Sequence, residues 1–230
     1  FTEKRFVMWA VIPIKNLNET KHRLKSALNP QERRDFFVEM FEDVLTTLLA
    51  VPELEQVAVA TVCPIAGKIA KKYGTSVLFT EKDEGQTAAV TRTAEILESK
   101  RVAKMLMLPG DVPLVTVEEI QTVIATHENA CSTPDVPAMT IVPARDEQGS
   151  NCIVLSPPTA APLRFGPNSY FPHLETARKL GVSLQTLKLP GIGLDIDTPE
   201  DLLELGRQSV QTRAQNYLQK YKILERIKIA

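Results

Sequence analysis

The apolar residues of this chain come in short runs, separated by longer segments whose apolar residues have helical spacing. Residues 6–14 form a continuous apolar run, which is typical of a strand buried on both faces of a parallel sheet. Further strands are predicted at 57–62, 76–79, 104–108 and 183–187. Helices are predicted at 30–50, 65–73, 87–98, 117–127 and 168–180, and another begins at 199. This alternation predicts an α/β fold with right-handed β-α-β units around a mostly parallel sheet with flanking helices.

The stretch 131–167 has a different character, with six prolines between Pro134 and Pro162. Its two short apolar runs, 138–142 and 152–155, predict a pair of strands that carry loops over one end of the sheet. Because the chain contains no internal repeat and no low-complexity segment, we predict one α/β domain over residues 1–207.

Residues 208–230 form a basic tail, with five Lys or Arg residues against Glu225 alone. The apolar residues of the tail fall at helical spacing (Tyr217, Leu218, Tyr221, Leu224 and Ile227). We predict an amphipathic helix that packs on its own domain or on a second subunit, so that a homodimer is one expectation.

The composition of the chain argues against nucleic acid and membranes as partners. The 27 Lys and Arg residues nearly balance the 28 Asp and Glu residues, which gives no electrostatic reason to expect a nucleic-acid partner. No apolar run approaches the roughly 20 residues of a membrane helix, so no membrane association is expected. Cys63, Cys131 and Cys152 lack any C-x-x-C spacing and predict reduced thiols in a cytoplasmic protein.

Ligands of open parallel sheets bind outside the carboxyl ends of the strands, so the residues that follow each strand carry the chemistry. After the first strand come Lys15, Lys21, Arg23 and Lys25, a basic loop suited to a polyphosphate, although a solvated loop is the alternative. Neither a Rossmann fingerprint nor a Walker loop is present.

Three aspartates stand at predicted strand ends. Asp111 follows the strand 104–108, and Asp195 and Asp197 would project to one face if their segment is extended. A divalent cation relieves the repulsion between such carboxylates, and Mg²⁺ commonly bridges them to substrate phosphates. A turn or cap role is the alternative for Asp111 and Asp197. Together with the basic loop, these residues indicate a nucleoside triphosphate or a nucleotide sugar.

Two segments rich in small residues offer backbone N–H groups to a second, anionic substrate: 149–151, which contains Ser150, and 165–169, which contains Gly166 and Ser169. An ordinary turn with a helix N-cap is the alternative there. His127 is expected at the surface and Trp9 in the core.

These residues resemble the 2-phospho-L-lactate guanylyltransferase family of coenzyme F-420 biosynthesis. The matching segments span about residues 6–205 in the expected order: Val11-Ile-Pro-Ile-Lys15, Lys21-His-Arg-Leu24, Asn29-Pro-Gln-Glu-Arg33, Pro109-Gly-Asp-Val-Pro113, Gly149-Ser-Asn151, Phe165-Gly-Pro-Asn-Ser169 with His173, and Leu194-Asp-Ile-Asp-Thr-Pro-Glu-Asp-Leu202.

The resemblance implies a nucleotidyltransferase domain with the fold of nucleotide-diphospho-sugar transferases and molybdenum-cofactor guanylyltransferases. It implies GTP as co-substrate, Mg²⁺ as cofactor, and 2-phospho-L-lactate, phosphoenolpyruvate or 3-phosphoglycerate as acceptor. Carried onto this chain, the metal ligands would be Asp111, Asp195 and Asp197, and the catalytic cations would be Lys15, Lys21 and Arg23. The substrate-binding residues would be Gly85, Ser150, Gly166 and Ser169.

The chain departs from the family pattern in three places. Gly85-Gln86-Thr87 stands where the family has Gly-Leu-Asn, Ser150 replaces Thr, and Cys152 replaces Ala. Two other functions compete with guanylyl transfer. Asp195-Ile196-Asp197 is also a D-x-D motif, which a glycosyltransferase would use to bind a nucleotide sugar. A nucleotide-binding regulator without turnover is the third hypothesis.

Overall fold

A computed structural model describes residues 7–17, 20–79, 85–131, 136–166 and 168–227. The predicted beginning of the first strand at Phe6 lies outside these residues. Among the described residues, no helix combines the length and the apolar character that crossing a bilayer would require.

The predicted elements are observed in the predicted order, with bounds that differ by a few residues, and a short helix at Pro190–Gly193 was not predicted. The strands are β1 Met8–Ile14, β2 Gln56–Thr61, β3 Ser76–Phe79, β4 Lys104–Met107, β5 Ala138–Pro143, β6 Ser150–Ser156 and β7 Ser183–Thr186. The helices are α1 Pro30–Leu49, α2 Pro64–Lys72, α3 Gln86–Ser99, α4 Val117–Ala130, α5 Tyr170–Lys179, α6 Pro190–Gly193, α7 Pro199–Arg207 and α8 Arg213–Lys220.

Within the described part of the chain, one sheet holds seven strands in the order β3-β2-β1-β4-β6-β5-β7. Only β6 runs antiparallel to its neighbours, β4 and β5, so the predicted mostly parallel α/β sheet is confirmed. The predicted pair of strands at 138–142 and 152–155 is confirmed, and the two strands are neighbours in the sheet. These runs are β5 and β6, which are buried along nearly their whole length because helices cover both faces of the sheet.

Local chemistry explains where the helices begin. Asn29 and Glu32 form a reciprocal capping box at α1, and Thr198 and Asp201 form another at α7. Helix α5 begins at Tyr170, two residues later than predicted, because Asn168 adopts a left-handed conformation with φ of 56°.

Two apolar layers pack on the sheet. One contains the apolar faces of α1, α2, α4, α7 and α8, and the other contains those of α3 and α5. Trp9 of β1 packs against the second layer and is half-buried, so its predicted core position holds in part.

The expectation that His127 lies at the surface is wrong. This side chain of α4 is fully buried against the sheet, with Nδ1 3.0 Å from Oγ1 of Thr140 in β5 and Nε2 2.7 Å from Oγ of Ser156 in β6. Burial, and then the nearby charge of Lys104, lower the pKa of His127 to about 4, so the ring is neutral at neutral pH.

Helix α8 of the tail packs on α1. The Asp43 carboxylate accepts hydrogen bonds of 2.9 Å from the backbone N–H groups of both Arg213 and Ala214, and the ring of Tyr217 lies 5.9 Å from that of Phe36. The helix ends at Lys220, and Lys222 takes a left-handed conformation, so the predicted helical face does not continue to Ile227. The domain boundary at 207/208 and the homodimer stay predictions.

Candidate active site

The basic loop folds back over the carboxyl end of β1. Lys15 directly follows the strand, and a 3-10 turn at His22–Leu24 aims Arg23 outward, with its side chain 73% exposed. Lys21 differs from both: its backbone is left-handed, with φ of 56°, and its side chain is only 4% exposed.

The ammonium of Lys21 joins two of the three predicted aspartates. Its Nζ lies 2.5 Å from Oδ2 of Asp111 and 2.6 Å from Oδ1 of Asp197. Burial alone would lower the pKa of Lys21, but the two carboxylates outweigh burial and raise this pKa above its usual value. Burial would likewise raise the pKa of Asp197, yet Lys21 and then Arg23 hold it below its usual value.

Asp195 completes the group. Residues 194–197 follow the short helix α6 as an irregular segment, not as the end of a strand, and the N–H of Ile196 donates to the carbonyl of Asp111 at 3.0 Å. Asn151 donates to Oδ1 of Asp195 at 3.1 Å. Burial and the negative charges of Asp111 and Asp197 raise the pKa of Asp195 to about 6 despite this hydrogen bond.

Two observations concern whether these aspartates could hold a metal ion. Oδ1 of Asp111 is buried without a hydrogen-bond partner in the described structure, which leaves one carboxylate oxygen available to a ligand. Among the described residues, no three acidic, His or Cys side chains are already arranged to hold an ion. The three aspartates therefore converge, but two of them are held by Lys21.

The three aspartates line a wide cavity of about 640 Å³. The cavity brings together predicted residues of three kinds: the cations Lys15 and Arg23, the aspartates Asp111, Asp195 and Asp197, and the small or hydroxyl residues Ser150, Gly166 and Ser169. An adjoining cavity of about 450 Å³ shares Lys15, Gln86, Pro109, Asp111 and Asp197 with it and adds Lys21 and Phe37. Gly85 is not part of the described walls of either cavity, whereas Gln86 lines both.

The far wall of the wide cavity consists of the start of β6 and the loop before α5. Gly166 has a φ of 146°, and a Cβ built there would meet nothing within 4 Å. The Ser169 side chain is buried at the start of α5 but makes no capping hydrogen bond within the described residues. Of the two roles open to Ser169, this geometry favours a ligand contact over an N-cap.

Three residues that support the walls of the cavity were missed in the sequence. Thr87, at one of the departures from the family pattern, accepts a 2.9 Å hydrogen bond from the N–H of Phe165. Arg145 lines the cavity and pairs with Asp201 at 2.8 Å, and Asp201 in turn accepts hydrogen bonds from the backbone of Asp197 and Thr198. The position of Asp201 three residues after Thr198 was the available signal, since that spacing is a capping box.

Known proteins with similar sequences are guanylyltransferases. A phosphoenolpyruvate guanylyltransferase of Conexibacter woesei is 29% identical over 194 residues, which cover 84% of this chain and 85% of that protein. A 3-phospho-D-glycerate guanylyltransferase of Colwellia psychrerythraea is 30% identical, covering 84% and 88%. A 2-phospho-L-lactate guanylyltransferase of Methanothermobacter thermautotrophicus is 28% identical, covering 92% and 89%.

The fold of this chain is shared with solved nucleotidyl- and sugar-transferase structures, and its sequence matches a family model. A protein described as a nucleotide-diphospho-sugar transferase, from Desulfovibrio desulfuricans, superposes with a TM-score of 0.77 at 15% identity, covering 95% of this chain and 96% of that one. A cytidylyltransferase of Leptospira borgpetersenii superposes with a TM-score of 0.60 at 15% identity, covering 97% and 98%. These two likenesses establish the fold alone. The family model described as "Guanylyl transferase CofC like" matches residues 8–228, and the chain therefore belongs to the CofC-like guanylyltransferase family.

Proposed function

We propose that this protein joins GTP to a phosphorylated three-carbon acid and releases pyrophosphate, as a step of coenzyme F-420 biosynthesis. The observation that carries the proposal is the wide cavity, where cations and aspartates suited to a triphosphate face a wall suited to a small anion. The names of the relatives supply three candidate acids: phosphoenolpyruvate, 3-phospho-D-glycerate and 2-phospho-L-lactate.

In the proposed reaction, an oxygen of the acid's phosphate attacks the α-phosphorus of GTP. A new P–O bond forms there while the bond to the oxygen bridging the α- and β-phosphorus atoms breaks, and pyrophosphate leaves with the electron pair. Because an ionised phosphate has no proton to lose, no general base is needed. The protein's task is to align the two anions and to offset their charge.

Each group of residues has a part in this task. Lys15 and Arg23 line the wide cavity and would neutralise the triphosphate, and the Lys21 ammonium holds the carboxylates of Asp111 and Asp197 in place. Ser150, Gly166 and Ser169 would bind the acid's phosphate or carboxylate at the opposite wall.

The site residues fit Mg²⁺. The donor set is carboxylate oxygen, which Mg²⁺ prefers, and the buried Oδ1 of Asp111 lacks a partner among the described residues. Asp111, Asp195 and Asp197 would hold the ion, which would supply further neutralisation of the triphosphate. A cytoplasmic location and a homodimer belong to the same proposal.

The test is pyrophosphate release by the purified chain. GTP or ATP is combined with each of the three acids, with Mg²⁺ or with EDTA in its place. We expect release with GTP, Mg²⁺ and at least one acid. Binding of GTP without release in any combination would favour a regulator, and sugar transfer from a nucleotide sugar would favour a glycosyltransferase; either result overturns the proposal.

A further inference from the structure

A buried histidine links the two segments that form the far wall of the wide cavity. Nδ1 of His173 lies 2.9 Å from Oγ of Ser150 at the start of β6, and the ring is 1% exposed. Its Nε2 accepts a 2.9 Å hydrogen bond from the N–H of Arg164, in the loop that carries Gly166. The ring also makes an edge contact with Phe165, with centroids 5.5 Å apart and planes at 66°.

These contacts determine which ring nitrogen carries the proton. A backbone N–H can only donate, so Nε2 of His173 must be the unprotonated nitrogen. Burial lowers the pKa of His173 to about 4, which keeps the ring neutral at neutral pH. A neutral ring carries one proton, and it is therefore on Nδ1, facing Ser150.

The direction of the Ser150 hydrogen bond follows. Nδ1–H donates, so Oγ of Ser150 accepts, and the hydroxyl proton of Ser150 remains to be donated elsewhere. Within the described residues, His173 is the hydrogen-bond partner of this Oγ, and Ser150 lines the wide cavity. The hydroxyl thus has its one proton available for an anion in the cavity.

We propose that His173 is a positioning residue that makes the Ser150 hydroxyl a fixed donor to the anionic group of the acceptor acid. This inference rests on the proposed function. The same ring holds the Arg164 backbone, so one side chain sets the spacing between Ser150 and the loop of Gly166. A side chain at 173 without a donor at the Nδ1 position would let Ser150 turn its proton inward and away from the acid.

Two substitutions of His173 distinguish the role of Nδ1 from the role of Nε2. His173→Asn keeps a donor near the Nδ1 position, and His173→Gln keeps an acceptor near the Nε2 position without the donor to Ser150. We expect His173→Gln to raise the KM of the acid about tenfold with the KM of GTP nearly unchanged. His173→Asn, which keeps the donor to Ser150, should raise the KM of the acid much less. Equal effects of both substitutions on the two KM values would overturn the proposal.

A Ser150→Ala background tests whether His173 acts through Ser150. The effect of His173→Gln on the acid KM should nearly vanish there, because the partner that it orients is gone. An undiminished effect would overturn the proposal. His127→Gln is the matched control, since His127 is the other buried neutral histidine and lies outside both cavities. It should lower stability and leave both KM values unchanged.

A measurement without turnover distinguishes failure of this inference from failure of the proposed function. Long-range ¹H–¹⁵N spectra of the wild-type protein report the tautomer of each neutral histidine. A proton on Nδ1 of His173 is expected, and a proton on Nε2 would overturn the proposal even if guanylyl transfer is observed. Absence of pyrophosphate release with every acid would instead refute the function, and with it the acid as the ligand of Ser150.

Discussion

Nζ of Lys21 lies 2.6 Å from Oδ1 of Asp197, 176 residues further along the chain. The same ammonium lies 2.5 Å from Asp111, so one buried cation holds two carboxylates of the proposed metal site together. Removal of the Asp197 charge should therefore leave the fold intact, because Lys21 keeps Asp111 as a partner, while the proposed metal site loses one of its three carboxylates.

We predict that Asp197→Asn lowers turnover at least ~10²-fold, because charge stabilisation at such sites is worth several kcal/mol. The thermal melt should remain close to that of the wild type. Glu200→Gln, an exposed neighbour outside both cavities, is the control for the loss of one charge. Near-wild-type turnover of Asp197→Asn at low Mg²⁺ would remove Asp197 from the proposed metal site.

Arg23→Ala should raise the KM of GTP much more than that of the acid. Its exposed guanidinium lies 3.8 Å from Asp197 and lines the wide cavity, and a charged contact to phosphate is worth roughly 1.5–3 kcal/mol. Lys25→Ala is the matched control, because Lys25 is an exposed cation of the same loop that lines neither cavity. An unchanged GTP KM in Arg23→Ala would mean that the loop is only a solvated surface.

Ser169→Ala should raise the acid KM by roughly tenfold, about 1.4 kcal/mol, with little change in stability. The reason is that Ser169 lines the cavity and does not cap its helix. Asn29→Ala provides the contrast, since Asn29 does cap α1, and its loss should cost about 0.5–2 kcal/mol of unfolding free energy without a kinetic effect. A lowered melting temperature of Ser169→Ala with an unchanged acid KM would refute the acceptor assignment.

The two buried histidines should make the protein less stable as the pH is lowered from 6.5 to 4, whereas Asp43 and Asp195, whose pKa burial raises to about 6, act in the opposite direction. Burial lowers the pKa of both His127 and His173 from 6.5 to about 4, so in this window the unfolded chain binds protons that the folded chain does not. Each histidine contributes a loss on the order of 3 kcal/mol across the window, and none above it. Denaturant unfolding of wild type and His127→Gln at pH 7 and pH 4 measures this. Going from pH 7 to pH 4 should be less destabilising for the variant than for the wild type, and identical changes in unfolding free energy would contradict the prediction.

The order of strands and helices could be predicted from the sequence because each element has its own apolar pattern. The place of β6 could not, since an apolar run such as 152–155 contains no information about its neighbours or its direction in the sheet. His127 could have been assigned correctly. It follows Ile120, Val123 and Ile124 at helical spacing, which places it on the buried face of α4.

In the site, too, local sequence patterns identify some residues but do not predict contacts between distant segments. Asp111 could be predicted because it follows β4 of a parallel sheet, whereas Asp195 and Asp197 lie on an irregular segment after α6 and were marked only by their spacing of two residues. The role of Lys21 depends on one left-handed residue that buries an ammonium, and the link between His173 and Ser150 joins two segments 23 residues apart. Neither contact can be predicted from the spacing of residues along the chain.

The contact of α8 with α1 has a consequence for protein synthesis. Asp43 of α1 binds the backbone of residue 213, which lies 170 residues later, and Phe36 packs on Tyr217. While a ribosome is still translating, the face of α1 that α8 will cover stays open until residues 213–220 have emerged from the ribosome. Nascent chains stalled before α8 emerges should therefore be more sensitive to protease and bind chaperones longer than released chains.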